Sequence, residues 1–290
     1  MNILLTGATK FLGEHICKEL LSRGLTFDCL IRPSSDTKTL RGLGVSLVQG
    51  DLSKPETLKP TLQNYDTVLN IPNLAQLPAA ALVRAYEEAG VERAVFVSST
   101  GIFTQLDART KPLRLAAEKS IEGSRLTYTI LRPTMIYGTP EDENIIKLLR
   151  LCQRLPVVPV VGPGRALQQP VHVEDVAWAV AEVLFQPETH NRSYNIGGGQ
   201  TLSYNELVKR ARQALGKPQR LVHIPSRPAA LAAKVAQRTG LPSPVSEEQI
   251  LRLAEDKAYS LQDAKDDFGY MPRPFDEGVE REVALMKGQN

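Results

Sequence analysis

Cysteine is scarce in this chain of 290 residues: there are three, Cys17, Cys29 and Cys152, odd in number and far apart. They have neither metal nor redox spacing, which excludes a disulfide framework and a Cys-built metal centre. They read as buried thiols in a reducing compartment. Histidine is nearly as sparse, with four, and His15, His190 and His223 show no ligand spacing, so no metal is expected. Charge of one sign is also lacking. The 35 Lys and Arg against 32 Asp and Glu leave a formal +3, with no basic run and no aromatic-interleaved patch, which argues against a nucleic-acid partner. No apolar run is long enough to span a bilayer, which argues against a membrane partner. The first strand pattern begins almost at Met1, leaving no room for a signal peptide, so a cytoplasmic protein is expected.

What is present begins at once. Residues 2–5 (Asn-Ile-Leu-Leu) form a buried-strand pattern that runs straight into Thr6-Gly7-Ala8-Thr9-Lys10-Phe11-Leu12-Gly13 and an apolar-periodic helix. Strand, glycine turn and helix, in that order, bind a dinucleotide's pyrophosphate. Gly7 allows the tight turn, Gly13 allows close helix–strand packing, and the helix N-terminus offers free N–H groups. The middle glycine of that pattern is Lys10. Either its ammonium reaches a phosphate as a point charge, or its side chain fills the space the pyrophosphate needs. A lysine also forgoes the freedom at φ > 0 that glycine has.

Strand and helix patterns alternate through the first half, which predicts a parallel sheet covered on both faces. Helix is expected from about Phe11 to Ser22 with Gly24 at its C-terminal end, then strands at Phe27–Ile31, Val45–Gln49, Thr67–Ile71, Ala94–Val97 and Tyr128–Leu131. Ser53-Lys54-Pro55-Glu56 and Ser203-Tyr204-Asn205-Glu206 have the capping-box pattern, and Thr110 is placed to cap a helix over about Pro112–Ile121. Residues 156–170 are too rich in Pro and Gly for core sheet. His172–Leu184 returns to helix, Ser193–Ile196 to strand, and an Ala- and Leu-rich helical region follows.

These segments together resemble the extended and atypical short-chain dehydrogenase/reductases, the NAD-dependent epimerase/dehydratase-like family. The resemblance rests on the Thr6–Gly13 loop, Gly50-Asp51-Leu52, Val97-Ser98-Ser99-Thr100, Ile130-Leu131-Arg132-Pro133 with Tyr137-Gly138, Val171–Ala177, Tyr194–Gly198 and Pro272–Gly278. It implies an α/β fold: a Rossmann-type doubly wound parallel sheet with a smaller, discontinuous, mainly helical substrate lobe. The nucleotide domain would comprise residues 1–137 and 170–197, and the lobe 138–169 and 198–290. It also implies a cofactor site of Gly7, Thr9, Lys10, Phe11, Leu12 and Gly13, with Asp51 and Leu52 on the adenine and backbone from Pro133 facing the carboxamide. Asp51 has a second reading as part of a helix cap. Residues 70–72 would lie beside the nicotinamide ribose, although Ile71-Pro72-Asn73 replaces the usual small residues. Arg132 is expected to be structural. At the end of the second strand, where NAD enzymes carry an acid for the ribose 2′-hydroxyl, the chain has Arg32. A guanidinium suits a 2′-phosphate, which favours NADP(H) over NAD(H), unless Arg32 is simply a solvated side chain.

The catalytic segment departs from the family. Its Tyr-x-x-x-Lys puts a phenol and an ammonium one helical turn apart, and the lysine lowers the tyrosine's pKa. Here those two places hold Thr110 and Arg114, neither of which can exchange a proton near neutrality. Thr100 suits the family's hydroxyl after the fifth strand. Tyr137 is a candidate replacement donor, with a packed aromatic as the alternative. His172, Glu174 and Asp175 invite an acid/base reading but suit a helix start. Lys111 and Lys119 lack a partnered phenol. Arg165, in Gly162-Pro163-Gly164-Arg165, sits where family members hold substrate, often a nucleotide-sugar. The expected function is an NAD(P)-dependent oxidoreductase or epimerase acting on a nucleotide-sugar or other small carbonyl or hydroxyl compound. The alternatives are a non-catalytic NAD(P)H-binding sensor, assembly factor or accessory protein, or a scaffold without dinucleotide. The family's pairing of two helices, here Ala79–Ala89 and Pro112–Ile121, suggests a homodimer.

Overall fold

Strands buried on both faces need helices above and below, and that requirement sets the architecture. The computed structural model describes residues 1–225 and 254–288. Seven strands form the central sheet: β1 (Ile3–Thr6), β2 (Phe27–Ile31), β3 (Ser46–Gln49), β4 (Thr67–Asn70), β5 (Arg93–Val97), β6 (Thr127–Pro133) and β11 (Arg192–Ile196). Every pairing is parallel, in the order β11-β6-β5-β4-β1-β2-β3. Strand order reverses between β1 and β4, so the crevice beyond their C-terminal ends is where a ligand binds in an open α/β sheet.

One face is covered by α1 (Phe11–Ser22), α2 (Lys38–Gly42) and α7 (Val173–Glu182), through Ile16, Leu20, Leu40, Val176 and Val180. The other is covered by α3 (Lys59–Leu62), α4 (Ala79–Ala89) and α5 (Thr110–Glu122), through Leu62, Leu82, Tyr86, Ala117 and Ile121. A third apolar cluster stands apart from the sheet. It joins α6 (Ile145–Arg154), α8 (Tyr204–Ala214) and α10 (Phe275–Gly288) through Leu149, Leu207, Val208, Val279 and Val283. Short strand pairs complete this region and its junction with the sheet: β7 (Ile136–Tyr137) with β10 (Val171–His172), β9 (Leu167–Gln168) with β12 (Leu202–Ser203), and β8 (Val158–Val161) with β13 (Leu221–Ile224). Pro-rich residues 156–170 thus contribute strands, but none to the main sheet.

Several local expectations are corrected. Ser203 and Glu206 do form a reciprocal capping box at α8, but Ser53 caps nothing. Its N–H and hydroxyl both donate to Asp51 Oδ1 (2.9 and 2.8 Å), and only a 3-10 turn, Pro55–Thr57, follows. Thr110 lies inside α5, because Arg109 before it already has helical backbone angles, and its hydroxyl accepts from Arg114 instead of capping. α9 (Gln262–Phe268), assigned by sequence to the smaller lobe, packs on the main sheet: Ala264, Phe268 and Tyr270 join the α1/α7 core, and the Tyr270 hydroxyl donates to Gly197 O at 3.0 Å. The part of the expected C-terminal helical region at residues 226–253 lies outside the described residues. Cys17, Cys29 and Cys152 are buried free thiols. No described helix is long and apolar enough to cross a membrane, and no group of three or more potential metal ligands occurs among the described residues.

One buried acid makes this fold sensitive to pH. Glu282 on α10 is fully buried, and neither carboxyl oxygen has a hydrogen-bond partner as a carboxylate. Its neighbour Asp142 spends its oxygens on the amides of Asn144 and Ile146 at the start of α6. Burial, then Asp142, push Glu282 up to about 10. A protonated Glu282 supplies the missing donor, which is the only inexpensive way to bury it. The unfolded chain ionises this group above its ordinary pKa, and the folded chain does not. Its contribution to stability is therefore full below that value and declines as pH rises toward about 10. Glu282→Gln should melt higher than the native protein at alkaline pH, with the gap closing toward about pH 5. Thermal melts across that range check it, and a gap that widens on acidification would contradict it.

Candidate functional site

The β1–α1 turn lies at the strand-order reversal. Gly7 has φ +78°, and a Cβ there would meet the Pro72 ring at 2.9 Å. Gly13 sits in the first turn of α1, where a Cβ would lie 2.2 Å from Gly7 O. Only glycine allows the helix to approach the strand end this closely. Lys10 is the N-cap, with φ −116° and ψ 159°, extended backbone that any residue adopts. The φ > 0 freedom of a glycine is therefore not used at this position. No side chain caps α1, so its first-turn N–H groups have no capping partner and carry the positive end of the helix dipole. Thr9, Lys10, Phe11 and Leu12 line a cleft of about 1450 Å³, and Lys10 is exposed at its edge.

Arg32 follows β2 and is exposed. Its backbone closes a turn with Ser35, by N–H to Ser35 Oγ at 3.2 Å and from Ser35 N–H at 2.9 Å. Asp51 lies in its electrostatic reach. The Ser53 bonds, helped by Arg32, hold the Asp51 carboxyl below the usual range. Both Ser53 bonds use Oδ1. Leu52 packs against the α4/α5 core.

On the far side of the cleft, β5 ends in a 3-10 turn, Thr100–Phe103, capped by Ser99 Oγ accepting from Gly101 N–H. Thr100 is buried, lines the cleft, and donates to Pro133 O at 3.2 Å, tying the β5 and β6 ends together. Arg114 and Thr110, which the sequence resemblance sets at the Lys and Tyr places, are linked at 3.0 Å. The Arg114 guanidinium reaches to within 3.1 Å of where a Gly101 Cβ would be. A cation thus stands beside the Thr100–Phe103 turn, but one that gives up no proton. Arg132 is structural, as expected: it forks onto buried Glu118 at 2.6 and 3.0 Å, and Glu118 also accepts from Ser98 Oγ at 2.5 Å.

The structure does not bring the remaining sequence candidates to the cleft. The Tyr137 hydroxyl is buried at 3.3 Å from Phe275 O, its ring packs edge-on to His172, and burial pushes its pKa well up. It is a packed aromatic, and that corrects its reading as a proton donor. His172 caps α7 by accepting from Glu174 N–H, and burial, then Arg273, push it down to about 4. Glu174 and Asp175 pair with Arg273 at 2.6 and 2.8 Å, clamping α7 to the segment before α10. Arg165 is exposed on the turn before β9, outside the cleft lining. Lys111 donates to Thr104 O at 2.5 Å, and Lys119 is exposed on α5.

Sequence reasoning missed the segment at residues 254–260. Glu255 accepts from Thr104 Oγ1 (2.7 Å) and Gln105 N–H (2.6 Å), Lys257 lines the cleft, and Tyr259 packs on Phe103 at 5.3 Å. No motif or periodicity marks these residues, which lie some 150 positions from the residues they meet.

Comparison with known proteins agrees with this geometry. A family described as NAD(P)H-binding matches residues 7–187. The photosystem II assembly factor Ycf39 of Trieres chinensis is 27% identical over 236 residues, covering 78% of this chain and 72% of that protein. The NAD(P)H azoreductase of Xenophilus azovorans is 28% identical over 229 residues, covering 77% of each. The crystal structure of UDP-glucose 4-epimerase from Thermotoga maritima with UDP-glucose superposes with a TM-score of 0.77 at 18% identity, over 100% of this chain and 99% of that one. The chain belongs to the NAD(P)H-binding family, with the fold of the epimerase and dehydratase branch of the short-chain dehydrogenase/reductases.

Proposed function

We propose that the chain binds NADP(H) along the cleft and reduces or oxidises a small carbonyl or hydroxyl compound beside Thr100. The observation that carries this reading is the uncapped first turn of α1, brought against the β1 turn by Gly7 and Gly13 and opening into the cleft. The residues present fit the dinucleotide. The amides of Leu12 and Gly13 would hold the pyrophosphate, and the Lys10 ammonium would add a point charge at the cleft edge. Arg32 would fork onto a 2′-phosphate. Asp51, with Oδ2 outside its Ser53 turn, would accept from the adenine amino group over Leu52, and Pro133 backbone would face the carboxamide. When bound, a reduced nicotinamide supplies hydride. The chain's own part is to orient the substrate oxygen at Thr100 and to place the Arg114 charge beside it, which stabilises negative charge developing on that oxygen.

The cleft holds Lys147 and Lys257 along with Glu141 and Glu143, a mixed-charge lining that suits a polar compound such as a nucleotide-sugar. Arg165, exposed and outside the cleft lining, takes no part in this reading. A second reading is favoured by the replacement of the family's proton-transfer pair by Thr110 and Arg114 and by the likeness to an assembly factor. In it, the chain binds NAD(P)H without turning it over. A homodimer through α4 and α5 fits the exposed Leu113 and Leu115 on α5.

Titration with NADPH and NADH tests the shared part of both readings: saturable binding is expected, tighter for NADPH, and absence of binding by either would overturn them. Arg32→Asp should weaken NADPH relative to NADH by about tenfold, through loss of a charge-assisted fork and gain of repulsion. An unchanged preference would remove Arg32 from the site. Lys10→Gly should weaken NADPH severalfold as the point charge is lost, whereas tighter binding would show that the side chain obstructs.

A further inference from the structure

The side of the cleft that faces the sheet ends is an apolar wall. Met135 just before β7, Leu148 on α6, the Tyr204 ring and Leu207 on α8, and Leu285 on α10 line the same cleft as Thr100. Four of the five are continuous with the apolar cluster of the smaller lobe: Leu148 and Leu207 belong to it, and Met135 and Tyr204 pack against it. That cluster holds the wall in place. Leu285 stands outside it, an apolar side chain left 49% exposed where it borders the cleft.

The polar side chains around this wall are already engaged. The Thr134 hydroxyl donates to Gln169 O at 2.5 Å, and the Gln168 amide donates to Glu255 O at 3.3 Å. The Thr139 hydroxyl donates to Glu141, and Asp142 accepts from the amides of Asn144 and Ile146. Glu141, Glu143 and Lys147 are exposed around the start of α6, and Lys257 adds a half-buried cation beside Gln168. The Tyr204 hydroxyl has no hydrogen-bond partner among the described residues, and burial pushes its pKa up to about 12, so it keeps its proton. The wall itself can therefore pair one polar atom of a ligand, but not a ring of hydroxyls.

We propose that the substrate carries a hydrocarbon body, which lies on this wall while its reacting oxygen sits at Thr100. The proposal rests on the dinucleotide reading above and narrows the substrate class left open there. Each methylene moved from water onto such a wall tightens binding about threefold to fourfold. A hydroxyl placed there without a partner weakens it. The exposed charges at the start of α6 are left for a polar end of the same molecule, so body and head separate along the cleft.

Calorimetric titration of the full chain, saturated with NADP+ or NAD+ (whichever binds) so that no turnover occurs, tests the proposal. The probes are methyl 3-oxobutanoate, methyl 3-oxohexanoate and methyl 3-oxooctanoate, with UDP-glucose as the polar comparison. Each added pair of methylenes should tighten binding about tenfold, and UDP-glucose should bind more weakly than the octanoate. Leu285→Ser, at an exposed position outside the lobe cluster, should cut the step from hexanoate to octanoate to about threefold or less, with dinucleotide affinity unchanged. If neither dinucleotide binds, the parent reading falls and this proposal with it. With a dinucleotide bound, the proposal alone is overturned by any of three results: absent or equal affinities along the ester series, UDP-glucose binding more tightly than the octanoate, or an unchanged chain-length step in Leu285→Ser.

Discussion

The site depends on one close approach: the first turn of α1 against the end of β1, where Gly13 faces the Gly7 carbonyl with no space for a Cβ. That contact aims an uncapped helix N-terminus into the crevice where the strand order reverses. The surrounding fold supports it. Leu4 and Leu5 bury β1 on both faces, Ile16 and Leu20 fix α1 on the α7 side, and Pro72 closes over the Gly7 turn. Lys10 does not disturb this geometry, because its backbone is extended, and its charge stays at the cleft edge.

How much of this was legible in the sequence varied with the range of the interaction. The α1 pattern, the strands at Phe27–Ile31 and Thr67–Asn70, the Gly7 and Gly13 roles and the Ser203–Glu206 box are local or strictly periodic, and they emerged nearly residue for residue. Ser53 and Thr110 carry capping signals, but short-range competitors, the Asp51 carboxylate and the Arg114 guanidinium, claim them. The Tyr137 hydroxyl is lost to the site because Phe275, far along the chain, closes over it. Sequence order alone places α9 with the smaller lobe, yet its apolar side chains Ala264 and Phe268 join the α1/α7 core. The segment at residues 254–260 has no periodic or motif signal, and only the fold brings it to Phe103, Thr104 and Gln105.

Thr110 and Arg114 stand on α5 where the sequence resemblance sets a phenol and an ammonium, and they do not leave that side of the cleft empty. Arg114 keeps a positive charge there, and Glu118 and Arg132 lock the ends of β5 and β6. The binding half of the site is built from backbone and glycine, which tolerate side-chain change around them. The chemical half is built from side chains, and it is where this chain has diverged from the family pattern. The same fold can therefore keep dinucleotide binding while its chemistry is rebuilt or given up.

The proposed role of the α1 N-terminus is to hold a dinucleotide's pyrophosphate. Backbone amide resonances recorded during an NADPH titration test it most directly. The account predicts saturable shifts concentrated at the amides of Phe11, Leu12 and Gly13. Saturation of binding with those amides unmoved would contradict it.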